Sequence, residues 1–260
     1  MFDIKTLVRL TRMREYLHKL ILIFPLIFLI SPQNILTYKT ILIFFASFFL
    51  TTFIYSINDV EDAEDDHHNI KKRKRNPIAN GELTKKQGYL FSFFLPFMGL
   101  LLLLAISRLI FLIGFILTSI GFLYSWKPIR LKSVPVMDVI SHVICLGALQ
   151  FSITYLAFRS FDLLFISFLM IFVPYSFAAC IFQQLRDFEV DKKAKINNTV
   201  QKLGKFNPTK LFVVLTMIII SGFIILCSTL SLEGVFLSSL IFLGSIPLLR
   251  CDRFFKLHRL

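Results

Sequence analysis

Residues 55–81 read YSINDVEDAEDDHHNIKKRKRNPIANG. Six of the eight positions from Asp59 to Asp66 carry a carboxylate, and five consecutive cations follow from Lys71 to Arg75. This charge directly follows the apolar run 38–57. Such a run is close to the ~20 residues needed to cross ~30 Å of hydrocarbon at ~1.5 Å per residue. The stretch therefore reads as the polar end of a membrane span, with opposed charges packed where the helix leaves the bilayer.

The rest of the chain supports that reading. It has 260 residues, of which 56% are hydrophobic and 31 are Phe, with a mean hydropathy of +0.72. A soluble domain is usually about 45–50% apolar. Eight blocks of span-like composition stand out: 16–34, 38–57, 88–107, 109–126, 136–158, 163–184, 210–231 and 233–249. The first and last are the shortest in apolar content. Residues 1–15 are basic and amphipathic, unlike a cleavable signal peptide. Cys145, Cys180, Cys227 and Cys251 are scattered without metal-ligand spacing, and no disulfide framework is expected.

The net charge of +13 is explained by orientation, with no nucleic-acid partner expected. The N-terminus, the segments 58–87, 127–135 and 185–210, and the C-terminal tail together hold 26 of the 29 Lys and Arg residues. Lys39, Arg108 and Arg159 are left for the opposite side. The positive-inside rule then places both termini and the long loops in the cytoplasm. Function belongs to that elaborated face.

The two long cytoplasmic loops resemble each other. NDVEDAEDD (58–66) aligns without gaps onto QQLRDFEVD (183–191), matching Asp62 with Asp187, Glu64 with Glu189 and Asp66 with Asp191. Each segment ends a span, the second and the sixth. The chain thus divides into two four-helix halves, about 1–126 and 127–260, inside a single domain. A site at the interface of internal repeats is a common membrane architecture.

If the second span continues as helix through Asp66, then Asp59, Asp62 and Asp66 fall within about 60° of one another at 100° per residue. Asn58 borders that face. Glu61, Glu64 and Asp65 are expected to point away into solvent. Gln183, Asp187 and Asp191 share a face of the sixth span, flanked by Gln184. Clustered carboxylates raise one another's pKa unless a cation intervenes. Oxygen ligands of this kind suit Mg2+, which commonly keeps one or two carboxylates, waters and substrate phosphates. The two aspartate groups would then grip a Mg2+-bridged diphosphate. Arg73, Arg75 and Lys132 would reach its oxygens. His67 and His68 are poor candidates for that metal. His142 and Gln150, polar at span depth, are expected to face the bundle interior.

With these residues in view, the chain resembles the UbiA superfamily of intramembrane prenyltransferases. The pattern Asn58-Asp59-x-x-Asp62-x-x-x-Asp66 is similar to the family's first motif, and Asp187-x-x-x-Asp191 to its second. RNPIANGEL (75–83), YSWKPIRLK (124–132) and LRDFEVDKKAKINNTVQKLG (185–204) are similar to the family's connecting loops. The resemblance implies an all-α integral membrane bundle with a central cavity, open to the cytoplasmic side and laterally to lipid. It implies Mg2+ on Asp59, Asp62, Asp66, Asp187 and Asp191, diphosphate on Asn58, Arg73, Arg75 and Lys132, and Tyr124 beside the reacting carbon. The partners would be a prenyl diphosphate, a hydrophobic acceptor (aromatic or lipid) and membrane lipid. The family usually has nine spans where eight are counted here, and Gln183 and Gln184 replace the Asn/Asp common before the second motif.

Three other readings are weighed. KRKRNPIANGELT also resembles polyprenyl-phosphate phosphoribosyltransferases of the same superfamily, in which the diphosphate belongs to the sugar donor. A cation transporter should carry charges at mid-membrane, yet nearly all charges here sit at span ends. Nothing positive favours a non-catalytic lipid-binding scaffold.

Overall fold

The computed structural model describes residues 4–193 and 196–230. All regular structure among them is helical. Six helices are long and apolar enough to cross a membrane: α1 (Tyr38–Glu61), α2 (Lys85–Leu104), α3 (Arg108–Ser125), α4 (Met137–Leu156), α5 (Leu163–Arg186) and α6 (Thr209–Thr229). They correspond to the second through seventh apolar blocks. The eighth block, 233–249, lies outside the described residues, as does any ninth helix.

The first block differs from a full span. It is a shorter apolar segment, Leu17–Ile30, broken between the turn Leu17–Leu20 and the helix Ile23–Ile30. Pro25 lies in the first turn of the second piece, where its missing N–H is tolerated but an unbroken helix through it is not. At ~1.5 Å per residue the segment reaches about 20 Å, short of the hydrocarbon thickness. Its buried face, Leu20, Ile23 and Ile27, packs against Ile43, Ala46 and Leu50 of α1.

The best-buried span is α1. Small and hydroxyl-bearing residues (Ala46, Ser47, Thr51, Thr52, Ser56) let neighbouring helices approach it closely. A Cβ on Gly99 of α2 would meet Leu50 Cδ2 at 2.8 Å and the Ala46 carbonyl oxygen at 3.3 Å, so the bare glycine lets α2 lie close against α1. Ile153 and Ala157, at the end of α4 and just beyond it, join the same apolar cluster and tie the second group of helices to the first.

The span α4 changes pitch midway, from α-helix to a π-helical segment at Val143–Leu149. Within it Gly147 lies against the backbone of α5. A Cβ there would sit 3.2 Å from the Phe172 carbonyl oxygen, 3.3 Å from Val173 Cα and 2.9 Å from Ser176 Cβ. His142 and Gln150 flank this segment and are half-buried, and Gln150 Nε2 has no partner among the described residues. The far end of α5 is tightly capped: Asp162 Oδ1 accepts from Phe165 N at 2.8 Å and Tyr155 OH at 2.6 Å, and Asp162 Oδ2 from Arg159 Nε at 3.0 Å. By contrast α6 turns Val213, Val214, Met217, Ile220 and Ile224 outward, a pattern suited to a lipid-facing span.

Gly147→Leu should force α4 and α5 apart, costing about 1–3 kcal/mol as over-packed cores do. A lowered melting temperature in detergent micelles checks this.

Candidate active site

The first motif forms where α1 ends. Asp62 is the C-cap residue of α1, and the short helix Ala63–His67 follows at once. The i→i+4 bonds Asp62 N to Asn58 O (2.9 Å) and Asp66 N to Asp62 O (2.8 Å) carry the helical spacing across the junction. Asp59, Asp62 and Asp66 therefore share a side. Asp59 is 0% exposed and Asp66 3%.

Glu61 departs from the sequence expectation. It is 2% exposed, accepting from Tyr89 OH at 2.6 Å and the Lys127 backbone N–H at 3.2 Å. It anchors the loop after α3 and the foot of α2. Glu64 and Asp65 are exposed as expected but paired, Glu64 with Lys127 and Lys85, Asp65 with Arg130 at 2.7 Å.

Asn76 shapes the segment after the motif. Fully buried, it donates from Nδ2 to the Asp59 carbonyl (2.7 Å) and to Asp66 Oδ2 (3.1 Å). Its Oδ1 accepts from Ile78 N and Ala79 N at 3.0 and 3.3 Å. The turn closes at Gly81, whose φ of 80° suits a residue without Cβ. Asn69 caps the short helix Ile70–Arg75, and the cations of that helix then divide by face. Lys72 and Arg75, three apart, turn inward: Lys72 Nζ lies 3.9 Å from Asp66, and Arg75 Nη2 lies 3.6 Å from Asp59 and 3.8 Å from Asp66. Arg73 is half-buried and pairs with no carboxylate among the described residues.

Other segments converge on the same carboxylates. From the loop after α3, Lys132 Nζ donates to Asp62 at 2.5 Å and to Asn58 Oδ1 at 2.8 Å. Arg130, held in the left-handed region at φ 45°, bonds Asp62 at 2.9 Å. From the N-terminal segment, Arg12 lies 3.3 Å from Asp59 Oδ1, is bonded to Glu15 and stands over the Tyr55 ring at 4.9 Å. Tyr55 stacks on Tyr16 at 5.0 Å. Burial pushes the Lys132 ammonium below its ordinary pKa, against the pull of Asp62. Asp59 Oδ2 is buried and has no hydrogen-bond partner among the described residues.

The second motif forms in the same way at the end of α5. Asp187 is the C-cap residue, and Asp191 N bonds Asp187 O at 2.9 Å, keeping the i, i+4 relation. Arg186 holds Asp187 through two bonds of 2.9 Å. Asn198 donates to Asp191 Oδ2 at 2.9 Å. Burial raises the Asp191 carboxyl above its usual range, the negative Asp187 raises it further, and Asn198 and Lys72 oppose them. Lys72, at the first motif, thus also acts on the second. Tyr124, at the last turn of α3, is within electrostatic reach of Asp138 and Asp62. Gln183 is exposed, whereas Gln184 turns inward to Asp138.

No three His, Cys, Asp or Glu side chains converge as a metal cage among the described residues. Cations stand between the carboxylates. The donor set nevertheless fits Mg2+, which needs only one or two carboxylates beside phosphate oxygens. The unpartnered buried oxygen of Asp59 and the mutually repelling Asp187 and Asp191 are the groups such an ion would satisfy. Sequence reasoning missed Arg12, Lys72, Arg130, Asn76 and Asp138. Asn76 lies within RNPIANGEL and Arg130 within YSWKPIRLK, where neighbouring cations carry the stronger signal. Arg12 and Lys72 were counted only as positive charge, and Asp138 carried no local signal.

A model of the UbiA prenyltransferase family matches residues 20–259. The chain belongs to that family of prenyl-transferring enzymes. Solved UbiA structures share its fold. A UbiA homolog from Archaeoglobus fulgidus bound to GPP and Mg2+ superposes with a TM-score of 0.76 at 24% identity, covering 94% of this chain and 86% of that one. The same homolog bound to DMAPP and Mg2+ gives 0.75 at 23%, covering 93% and 85%. A structure described for the biosynthesis of digeranylgeranylglyceryl phosphate synthase in membranes gives 0.66 at 23%, covering 86% and 76%. No curated protein matches the chain by sequence.

Asn76→Ala would strand the Asp59 carbonyl and two backbone N–H groups, and should cost about 1–3 kcal/mol. Thermal unfolding in micelles, with exposed Lys74→Ala as an unchanged control, measures it.

Proposed function

We propose that this UbiA-family protein is a Mg2+-dependent intramembrane transferase that moves a polyprenyl group from a prenyl diphosphate to a hydrophobic acceptor, aromatic or lipid. One observation carries the reading: cations from three separate segments gather on the carboxylates where α1 ends, and one of them, Lys72, 3.9 Å from Asp66, also lowers the Asp191 carboxyl electrostatically.

Asp59, Asp62 and Asp66 on one side, and Asp187 and Asp191 on the other, would hold Mg2+. Bound there, the ion would neutralise charge on the departing diphosphate. Lys132, Arg75, Lys72, Arg12 and Arg130 already surround the carboxylates and would donate to phosphate oxygens. Arg73, engaged by no carboxylate among the described residues, is available for the same role, and Asn58 orients Lys132. Fixed donors aimed at developing charge are usually the largest contribution to such a reaction. As the allylic C–O bond ionises, the ring face of Tyr124 would stabilise the cationic carbon. The surrounding apolar spans would receive the prenyl tail in a central cavity and keep water from quenching the cation. The distribution of Lys and Arg supports a site and termini on the cytoplasmic side.

Asp62→Ala or Asp187→Ala should lower transfer by at least ~100-fold, the scale of losing a group that stabilises transition-state charge, while the protein still inserts. Near-normal turnover in either variant would sink the assignment. Chelation by EDTA should stop transfer and Mg2+ restore it. Radiolabelled geranyl diphosphate and labelled phosphoribosyl diphosphate, offered to membranes in parallel, identify the donor: label entering lipid from the sugar donor alone would make this a phosphoribosyltransferase.

A further inference from the structure

Asp138 lies in the first turn of α4, 1% exposed, and has no cationic partner among the described residues. Three neutral donors satisfy its charge. Oδ2 accepts from Gln184 Nε2 at 2.7 Å and from the Thr199 backbone N–H at 2.8 Å, and Oδ1 accepts from Thr199 Oγ1. Gln184 Oε1 accepts from Val200 N at 3.1 Å, closing a ring of bonds across three segments. Thr199 Oγ1 also accepts from the backbone N–H of Val136, held at φ 74°. A β-branched residue keeps such a backbone only when its surroundings impose it.

Each partner of Asp138 adjoins the second aspartate pair. Gln184 lies one helical turn before Asp187 on α5. Asn198, next to Thr199, bonds Asp191, and Gln201 Nε2 donates to the Phe188 carbonyl at 2.5 Å. Val139, Cys180, Ile181, Leu185 and Val200 pack beneath as one buried apolar cluster. The ring thus holds the end of α5 and the segment 196–203 against the start of α4.

We propose that Asp138 is a positioning residue that sets Asp187 and Asp191 in place for Mg2+–diphosphate. This rests on the transferase reading above. Asp138 itself is tied up by Gln184 and Thr199 and acts through them.

The test exploits the polarity of the ring. Asp138→Asn places an amide N–H2 among donors. Partners that orient metal ligands typically change affinity ~10–100-fold when lost, so calorimetric binding of Mg2+–geranyl diphosphate should weaken about 10-fold or more. The metal-free variant should also exchange its backbone amides faster at 188–193 and 196–201. Asp138→Asn with Gln184→Glu moves the carboxylate to α5: the amide introduced on α4 can donate its N–H2 to the new carboxylate while its oxygen accepts from Thr199. This pair should bind within about three-fold of the parent, as coupled neighbours compensate, and recover the slow exchange. Should Asp138→Asn fail to fold, Thr199→Val, lacking only the hydroxyl, should shift both readings in the same direction. Parent-like binding and exchange in Asp138→Asn, or a swap no better than the single variant, overturns the proposal. If the parent itself binds no Mg2+–geranyl diphosphate while exchange follows the expected pattern, the transferase reading fails and the positioning of 188–201 by Asp138 stands.

Discussion

A carboxylate with no access to water governs the architecture of this site. Asp59 can be buried at the end of a membrane span because Arg12 and Arg75 arrive from elsewhere in the chain to face its carboxylate, while the Asn76 side chain holds its backbone carbonyl. An isolated buried charge would cost several kcal/mol. That cost is met by bringing the N-terminal segment and the 69–83 loop over the foot of α1. The same logic repeats at Asp62, where Arg130 and Lys132 come from the loop after α3. Charge satisfaction therefore acts here as a folding constraint as well as a chemical preparation. Under the proposed function, the segments that close over the foot of α1 are those that a diphosphate would meet.

The membrane spans serve this arrangement by fixing where α1 and α5 end, and with them where each aspartate group sits. Small residues on α1 and the bare backbone of Gly147 on α4 permit close crossings. Both acidic groups lie at helix termini, where the chain can leave the helical path. The C-terminal end of a helix carries partial negative charge, which adds to the repulsion among the aspartates and to the need for cations nearby. Cations from the N-terminal segment, the 69–83 loop and the loop after α3 then gather on the first aspartate group.

Much of the fold was legible because lipid imposes a simple rule. Six of the eight apolar blocks appear as long helices, since a run of that length has no other way to satisfy its backbone in hydrocarbon. The first block broke the pattern through Pro25, whose effect depends on where a helix starts, and composition does not reveal that. The shared face of Asp59, Asp62 and Asp66 followed from periodicity. The inward turn of Lys72 and Arg75 did not, because KKRKR is uniform in charge and only the register set by the Asn69 cap separates its faces. Glu61 was misjudged for a related reason: its partners, Tyr89 and Lys127, are distant in sequence. Asp138 was invisible because its partners are neutral groups about fifty and sixty residues away, a spacing no local pattern encodes.

The two ends of α5 are built differently. One is locked by a three-donor cap on Asp162. The other ends in Asp187, held among the described residues by its own neighbour, Arg186, and in a segment moored sideways through Gln184. The helix is thus fixed by charged bonds at one end and by bonds to neighbouring segments at the other. Such mooring makes the placement of Asp187 and Asp191 depend on the segment 196–203 more than on the bilayer-embedded length of α5, so a change in that segment reaches the two carboxylates without passing through the span.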